Sequence, residues 1–407
     1  MDFEVVIIGT DINAYYMARC CHEAYGIKPY IIGKEKMNYT ALSNISNITY
    51  VSNLWDSDIF TTSLKDFALE HQDKKLVLIG TNDFYIRLIA EKQKLLKKYY
   101  HFYAVDLKLL NNLLVKDNFY TTFKDSELDM PQTYIHPCNK KKKIAGKVLS
   151  KFQYPIVIKP GDGVNYYKHK FEGQAKVYKA VDRKQLLHII KTIEKSGYDG
   201  NLIIQEFIPG DDSMLFDSIF FCGKDKKVKL VSFAQIGLQE RTSTGVGNCT
   251  LLVNGYSEFG NYDDQIEKMK KFLEDNNYEG FAEFDLKYDV RDGKYKVFEV
   301  NPRQARSSYY LAACGYNLVQ YMVDDLINNK PFKYTIIREK MVLTFVPKIV
   351  IKKYVENIKL KNEIFSLIKK GKIVDPLNYK GDSNFKRKIW LFLRKINYIK
   401  KYRKNKW

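Results

Sequence analysis

Nowhere in its 407 residues does the sequence run to the roughly 18 consecutive apolar positions that a membrane-spanning helix needs, so no span is expected. The start, MDFEVVIIGTD, sets acids ahead of its apolar run and has no basic stretch, which is not the layout of a secretory leader. Together these read as a soluble intracellular protein. Cysteine is scarce: the six are Cys20, Cys21, Cys138, Cys222, Cys249 and Cys314. None forms a CxxC pair and the histidines do not cluster near them. Neither a zinc site nor a disulfide framework is therefore expected, only buried free thiols in a reducing compartment. Glycine is missing where a dinucleotide fold needs it. Gly9, Asp11 and Ala14 occupy the positions of a GxGxxG motif, and the Asp11 carboxylate would repel a pyrophosphate. That disfavours a nicotinamide or nucleotide-sugar enzyme built on the first domain. An anion or small substrate beside the end of the first strand stays open. Capping of the next helix by Asp11 or Asn13 is an equal reading.

Acidic residues are thin at one end only. Residues 331–407 hold 22 Lys/Arg against 5 Asp/Glu and carry +17 of the net +20, so the first 330 carry +3. The body is nearly neutral and the tail is strongly basic.

What is there reads as alternating elements. FEVVIIG (3–9), KPYIIG (28–33) and KKLVLIG (74–80) are strand runs, separated by segments of helical spacing. Strands alternating with helices imply a parallel sheet, so an α/β domain is placed at 1–112. The texture then changes. A helix carrying Leu114, Phe119 and Phe123 stops at Met130-Pro131. Strand runs at 154–160, 173–180 and 201–208 surround an amphipathic helix at 181–195. Hairpins turn at Gly223-Lys224-Asp225 and at Asp292-Gly293. These features give an α+β module in two parts, 113–200 and 201–330, followed by a basic extension at 331–407.

The second hairpin, EGFAEFDLKYDVRDGKYKVFEVNPR (279–303), holds an unusual grouping. Side chains alternate across a strand. Glu283, Asp285 and Lys287 share one face, and Glu299 and Asn301 share a face with Val297. The polar faces bring Asp285, Glu299 and Asn301 into one small volume. Close carboxylates repel unless something positive sits between them, and a hard divalent cation with oxygen ligands is the simplest occupant. Arg303 lies just beyond, suited to a two-pronged grip on phosphate or carboxylate. A surface hairpin whose acids pair with nearby lysines is the plainer alternative. Lys116 and Lys159 each follow apolar residues, where a cation is costly unless it meets an anion. The segment Gln205-Glu206-Phe207-Ile208 ends a strand before Pro209-Gly210 and has the backbone groups to meet an adenine edge. Asp211 or Asp212 beyond it suits ribose hydroxyls. No Ser–His or Cys–His pair is apparent.

In this order, VKDNFY, PIVIKP, IIQEFIPGDD, EFDLKYD and FEVNPR resemble the ATP-grasp superfamily over about residues 1–325. The resemblance implies an N-terminal α/β (pre-ATP-grasp) domain before a two-subdomain α+β clamp on ATP, with a basic helical tail after it. It implies that Lys116 and Lys159 hold the phosphates. Gln205 or Glu206, with the backbone of Phe207 and Ile208, would hold adenine, and Asp212 or Asp211 the ribose. Asp285, Glu299 and Asn301 would bind one or two Mg²⁺, with Mn²⁺ as a substitute. Arg303 would steady the transferring group, and Arg241 would be a further ligand. The loop GDGVNYYKHKFEG (161–173) departs from the family's glycine-rich lid, leaving open which of Lys168, Lys170 and Lys176 faces the phosphates.

The activity implied is ATP-driven joining of a carboxylate to an amine through an acyl phosphate. GTDINAYYMAR, LVLIGTNDFYIRLI and VNPRQARSSYYLAACGYNL are most similar to the D-aspartate ligases of peptidoglycan cross-bridge synthesis. That implies an amino-acid substrate and an amine acceptor such as the lysine of a UDP-linked muropeptide. A non-catalytic ATP-grasp scaffold at a membrane is the alternative. In FKRKIWLFLRKINYIKKYRKNKW, apolar residues interleave with Lys/Arg. A contact of 350–407 with anionic membrane at the inner face ranks level with a helix simply packed on the domain, and nucleic-acid binding ranks behind.

Overall fold

The computed structural model describes residues 1–140, 152–242, 245 and 247–404. Its first layer is a five-stranded parallel sheet. Phe3–Ile8 is central, with Tyr30–Gly33 and then Asn47–Tyr50 on one side, and Lys75–Gly80 and then Tyr100–His101 on the other. The chain therefore reverses its winding direction between Phe3–Ile8 and Lys75–Gly80. In open α/β sheets that reversal opens a crevice at the carboxyl ends of the two strands. Asp11 and Asn82 sit there. Asp11 accepts from the amides of Asn13 and Ala14 at 3.0 and 3.1 Å, and Asn82 accepts from Tyr85 at 3.1 Å, so both cap helices.

A four-stranded antiparallel sheet follows, in the order Thr133–Pro137, Asn201–Glu206, Ile156–Pro160, Tyr178–Ala180. Asn201–Glu206 lies inside this sheet, so the smaller unit runs to the Pro209-Gly210 turn and not to residue 200. The expected returning strand at 173–180 is only Tyr178–Ala180. Tyr166 explains why: it is fully buried, and its hydroxyl meets Tyr178 at 2.6 Å and the Ala175 carbonyl at 3.1 Å. The tyrosine that stands where a lid glycine was expected is a core residue. This unit also brings His136, Cys138 and Glu194 together, against the expectation that histidines and cysteines stay apart; His136 Nε2 lies 2.9 Å from Glu194.

The third layer is a nine-stranded, mainly antiparallel sheet with the acidic hairpin at its edge. Lys294–Asn301 pairs with Gly280–Asp289, which pairs with Leu215–Cys222. Residues beyond 331 belong to this layer. Thr335–Ile337 pairs in parallel with Val228–Ser232, and Met341–Thr344 pairs with Cys249–Asn254.

The tail ends in the helix Phe385–Lys404, which folds back on the protein; Trp407 lies outside the described residues. Its anchor is Arg387, fully buried 3.8 Å over the Tyr15 ring and 3.3 Å from the buried Asp382. The Tyr39 carbonyl accepts from its Nη1 at 2.8 Å and the Leu377 carbonyl from its Nη2 at 3.3 Å. A buried cation matched this closely is costly to orphan, about 3–5 kcal/mol when one partner is removed. Tyr402 is fully buried and hydrogen-bonds Thr250 at 2.7 Å. The tail is thus part of the body.

Candidate active site

Strand register assembles the acids. Asp285 pairs with Asp217 on one neighbouring strand and with Glu299 on the other. One pair along, Glu283 stands between Ile219 and Asn301. Asp217, Asp285 and Glu299 therefore form a row across three strands, with Glu283 and Asn301 beside it. On the opposite face Ala282, Phe284 and Leu286 enter the core as alternation requires. One expectation fails. The register shifts after Asp285, so Leu286 faces Val297 and Phe298 is left unpaired. This bulge turns Val297 into the core beside Val300, away from Glu299.

The row lines a cavity of about 450 Å³, whose other walls include Asp11, Asn82 and Asp83 from the switch point. Asn301 Nδ2 donates to Asp285 Oδ2 at 3.3 Å, and Lys116 Nζ touches Glu299. Arg303 Nε donates to Asp83 at 2.6 Å, and its Nη1 lies 3.6 Å from Glu283. Gln304 Nε2 bonds the Gly80 carbonyl at 3.0 Å, and Tyr16 donates to the Ala305 carbonyl. The stretch after the hairpin is thereby stapled to the first domain, which holds Arg303 at the mouth.

Crowding appears in the acidities. Burial first, and the charge of Asp285 with it, pushes Asp217 up to about 7, although Ser307 and Tyr310 donate to its oxygens. Burial and the charges of Asp285 and Asp217 push Glu283 well above the usual carboxylate range. Burial also raises Asp285, against the pull of Lys116 and Arg303. Carboxylates gathered at such a cost suit a hard divalent cation with oxygen ligands. Asp285, Glu299 and Asn301 would supply two carboxylates and one neutral carbonyl, with Asp217 and Glu283 behind them.

A second cavity, about 420 Å³, adjoins the first and shares Lys116, Lys176, Asp285, Phe298 and Glu299 with it. It lies between the two antiparallel sheets. Val157, Lys159 and Gln205 through Ile208 form one wall, and Leu215, Phe216, Ile236 and Leu286 the other. Such a slot is flat and apolar inside, with cations at the end nearest the acids. Lys159 sits 5.3 Å over the Phe298 ring, and burial followed by the charges of Lys116 and Lys176 brings it down to about 7. Of the three lid lysines left open, Lys176 lines both cavities.

Other sequence candidates have partners of their own. Gln205 donates to Thr133 at 2.9 Å, with its side chain along the slot. Glu206 accepts from the Gln132 amide and from Arg291, both at 2.7 Å, so its side chain is engaged away from the slot. Asp212 accepts from the Gln239 amide at 3.0 Å and its side chain at 2.8 Å, and lines a cavity next to the slot. Arg241 lies in that same side cavity, about 5 Å over Tyr354 and Tyr402, and not among the lining of the acid cavity. The arginine that does line it beside Arg303 is Arg306. Sequence reasoning passed over Asp217 and Arg306, and placed Glu283 on the acid face without giving it a role. A lone acid inside LFDSIFF was the one available signal for Asp217.

A D-aspartate ligase of Enterococcus faecium (strain Aus0004) is 30% identical over 415 residues, 99% of this chain and 96% of that protein. This chain belongs to the D-aspartate ligase family. The ligase is ATP-dependent and joins a carboxylate to an amine, as the ATP-grasp ligases do. No family model matches it. Solved structures share its fold at low identity. An L-amino acid ligase from Bacillus licheniformis is 15% identical at TM-score 0.55, over 81% of this chain and 75% of that one. The N5-carboxyaminoimidazole synthetase of Staphylococcus aureus, complexed with ADP, is 13% identical at TM-score 0.61, over 84% and 82%. The biotin carboxylase domain of the Hydrogenobacter thermophilus 2-oxoglutarate carboxylase, in complex with MgADP, is 14% identical at TM-score 0.61, over 82% and 72%.

Because the acidity of Lys159 is enhanced, its charge is present below about pH 7 and is lost as pH rises through that value. Phosphate favours the charged form. Nucleotide binding to the ligase near pH 8 is therefore expected to take up a proton, and affinity to fall between about pH 6 and 8. Calorimetry in buffers of different ionisation enthalpy measures both, and Lys159→Met should reduce the uptake to the part owed to Lys116, which burial brings down to about 8.

Proposed function

We propose that the protein uses ATP and Mg²⁺ to join D-aspartate, or a close relative, to the side-chain amine of a lysine in a UDP-linked muropeptide. The observation that carries this reading is the in-register row Asp217–Asp285–Glu299 at the junction of an apolar slot and a cation-lined cavity. ATP would lie in the slot, its base between Gln205–Ile208 and Leu286, its phosphates toward Lys116, Lys159 and Lys176. Asp285, Glu299 and Asn301 would hold one or two Mg²⁺, and Mn²⁺ would serve in its place. An ion held there would neutralise the phosphate charge that builds up on the leaving ADP.

The amino-acid carboxylate oxygen attacks the γ-phosphorus, and the bond from that phosphorus to the β-bridging oxygen breaks to release ADP. Arg303, fixed by Asp83, is placed to meet the charge of the resulting acyl phosphate. The acceptor amine then attacks the acyl carbon. Phosphate departs with the carbon–oxygen electron pair and the amine loses its proton. This chemistry needs positioning and charge neutralisation more than a protein nucleophile, in keeping with a site of lysines, arginines and acids.

The expected outcome is ADP release that needs Mg²⁺, D-aspartate and the acceptor together, with the product mass rising by one aspartyl residue. Asp285→Asn should lower turnover by at least ~100-fold, about 2.7 kcal/mol of barrier. It should also raise the melting temperature of the ligand-free protein, since it relieves like-charge crowding. Full turnover in that variant, or equal turnover with every amino acid offered, contradicts the proposal.

The outward face of the last helix supports peripheral contact with anionic membrane at the cytoplasmic side. Phe385, Ile389 and Phe392 are 78%, 45% and 64% exposed, one helical stripe flanked by Lys386, Lys388, Lys395 and Lys400. An apolar stripe between cations suits a bilayer surface. Flotation with vesicles containing phosphatidylglycerol is expected to recover the protein and to lose it when Phe385 and Phe392 become Ser. Equal recovery on neutral vesicles, or none on either, rejects the contact.

A further inference from the structure

The inner side of the last helix faces a different space. Trp390, Leu393, Arg394, Asn397, Tyr398 and Lys401 form one wall of an open groove of about 890 Å³. Residues 35–39 of the first domain form the opposite wall, and Glu240, Gly245, Asn248 and Arg306 form its inner end. Arg306 and Asn248 also line the acid cavity, so the groove adjoins it there.

The charges are uneven, with Lys36, Arg306, Arg394 and Lys401 set against Glu35 and Glu240. Glu240 is matched by Lys401 at 3.1 Å and by Arg306 at 3.8 Å. Among the described residues, no carboxylate lies within 4.0 Å of Arg394 or Lys36. Arg394 is held instead against rings, 4.8 Å over Tyr398 and 5.6 Å over Phe345. Arg306 Nε is buried with no hydrogen-bond partner among the described residues. Trp390 and Tyr39 stand edge to face at 5.3 Å, at the outer part of the groove. Flat aromatic surface beside unmatched cations is the chemistry that receives a base and its phosphates.

We infer that this groove is the acceptor channel, and that it takes a long acceptor bearing a nucleoside diphosphate remote from its amine. The amine end passes Arg306 and Asn248 into the acid cavity, while the diphosphate rests against Arg394 and Lys36 and the base lies on Trp390 or Tyr39. The last helix then selects the acceptor as well as supporting the fold. The inference rests on the ligase reading above.

The test compares three nucleophiles on the full chain: hydroxylamine, a lysine-containing peptide, and the same peptide carrying a nucleoside diphosphate. Arg394→Gln and Lys36→Glu are expected to raise KM at least tenfold for the diphosphate-bearing peptide. KM for the plain peptide and the rate of hydroxamate formation should stay within twofold of wild type. Arg394→Lys, which keeps the charge, should restore most of the loss. Lys36 is exposed, so its variant guards against a result that merely reports misfolding at Arg394. Equal KM changes for both peptides, or none for either, overturn the inference while hydroxamate formation preserves the ligase reading. Wild-type protein that forms no hydroxamate with any amino acid overturns both.

Discussion

Like-charge crowding across three neighbouring strands is the constraint on which the rest of the molecule depends. Asp217, Asp285 and Glu299 share a register line, and Glu283 is one step away. No sheet gains stability from such a row alone, because each carboxyl loses hydration and faces its neighbours. The surroundings answer that cost piece by piece. Ser307 and Tyr310 donate to Asp217, Asn301 to Asp285, and Lys116 reaches Glu299. The residual imbalance is what a divalent cation, with the phosphates that come with one, would relieve.

The architecture serves that row from three sides. The parallel sheet offers the ends of Phe3–Ile8 and Lys75–Gly80, and Asp83 there anchors Arg303. The four-stranded sheet brings Lys159 and the Gln205–Ile208 segment across an apolar slot. The nine-stranded sheet supplies the acids, and its last strands and helix come from the basic tail. Arg387, buried between Tyr15 and Asp382, ties that tail to the first domain. The first domain therefore meets the acidic hairpin around one cavity and the last helix around an adjoining groove.

Much of this was legible in the chain because it followed local rules. Alternation in FAEFDLKYD put Glu283 and Asp285 on one face, and the order of VKDNFY, PIVIKP and FEVNPR pointed to the clamp. What stayed hidden depended on pairing between distant segments. Asp217 sits between Phe216 and Ser218 in a strand of buried type, and only its register with Asp285 makes it part of the site. The bulge at Phe298 reversed the expected side of Val297, since no residue type there announces it. The strands Thr335–Ile337 and Met341–Thr344 are too short for a periodic signal and gain their meaning from partners about 90–100 residues earlier. Arg241 looked available in sequence, yet rings of Tyr354 and Tyr402 from the tail draw it aside.

The central claim concerns where a cation binds, and diffraction can see that directly. Crystals grown with Mn²⁺ and a non-hydrolysable ATP analogue, measured at the manganese absorption edge, should give an anomalous peak between Asp285 and Glu299. Both carboxylates should lie at about 2.0–2.3 Å from it, near the ligand distances of a small hard cation, with Lys116 moved from Glu299 toward phosphate. An analogue seated in the slot with no peak at those acids, or a peak held elsewhere, contradicts the account.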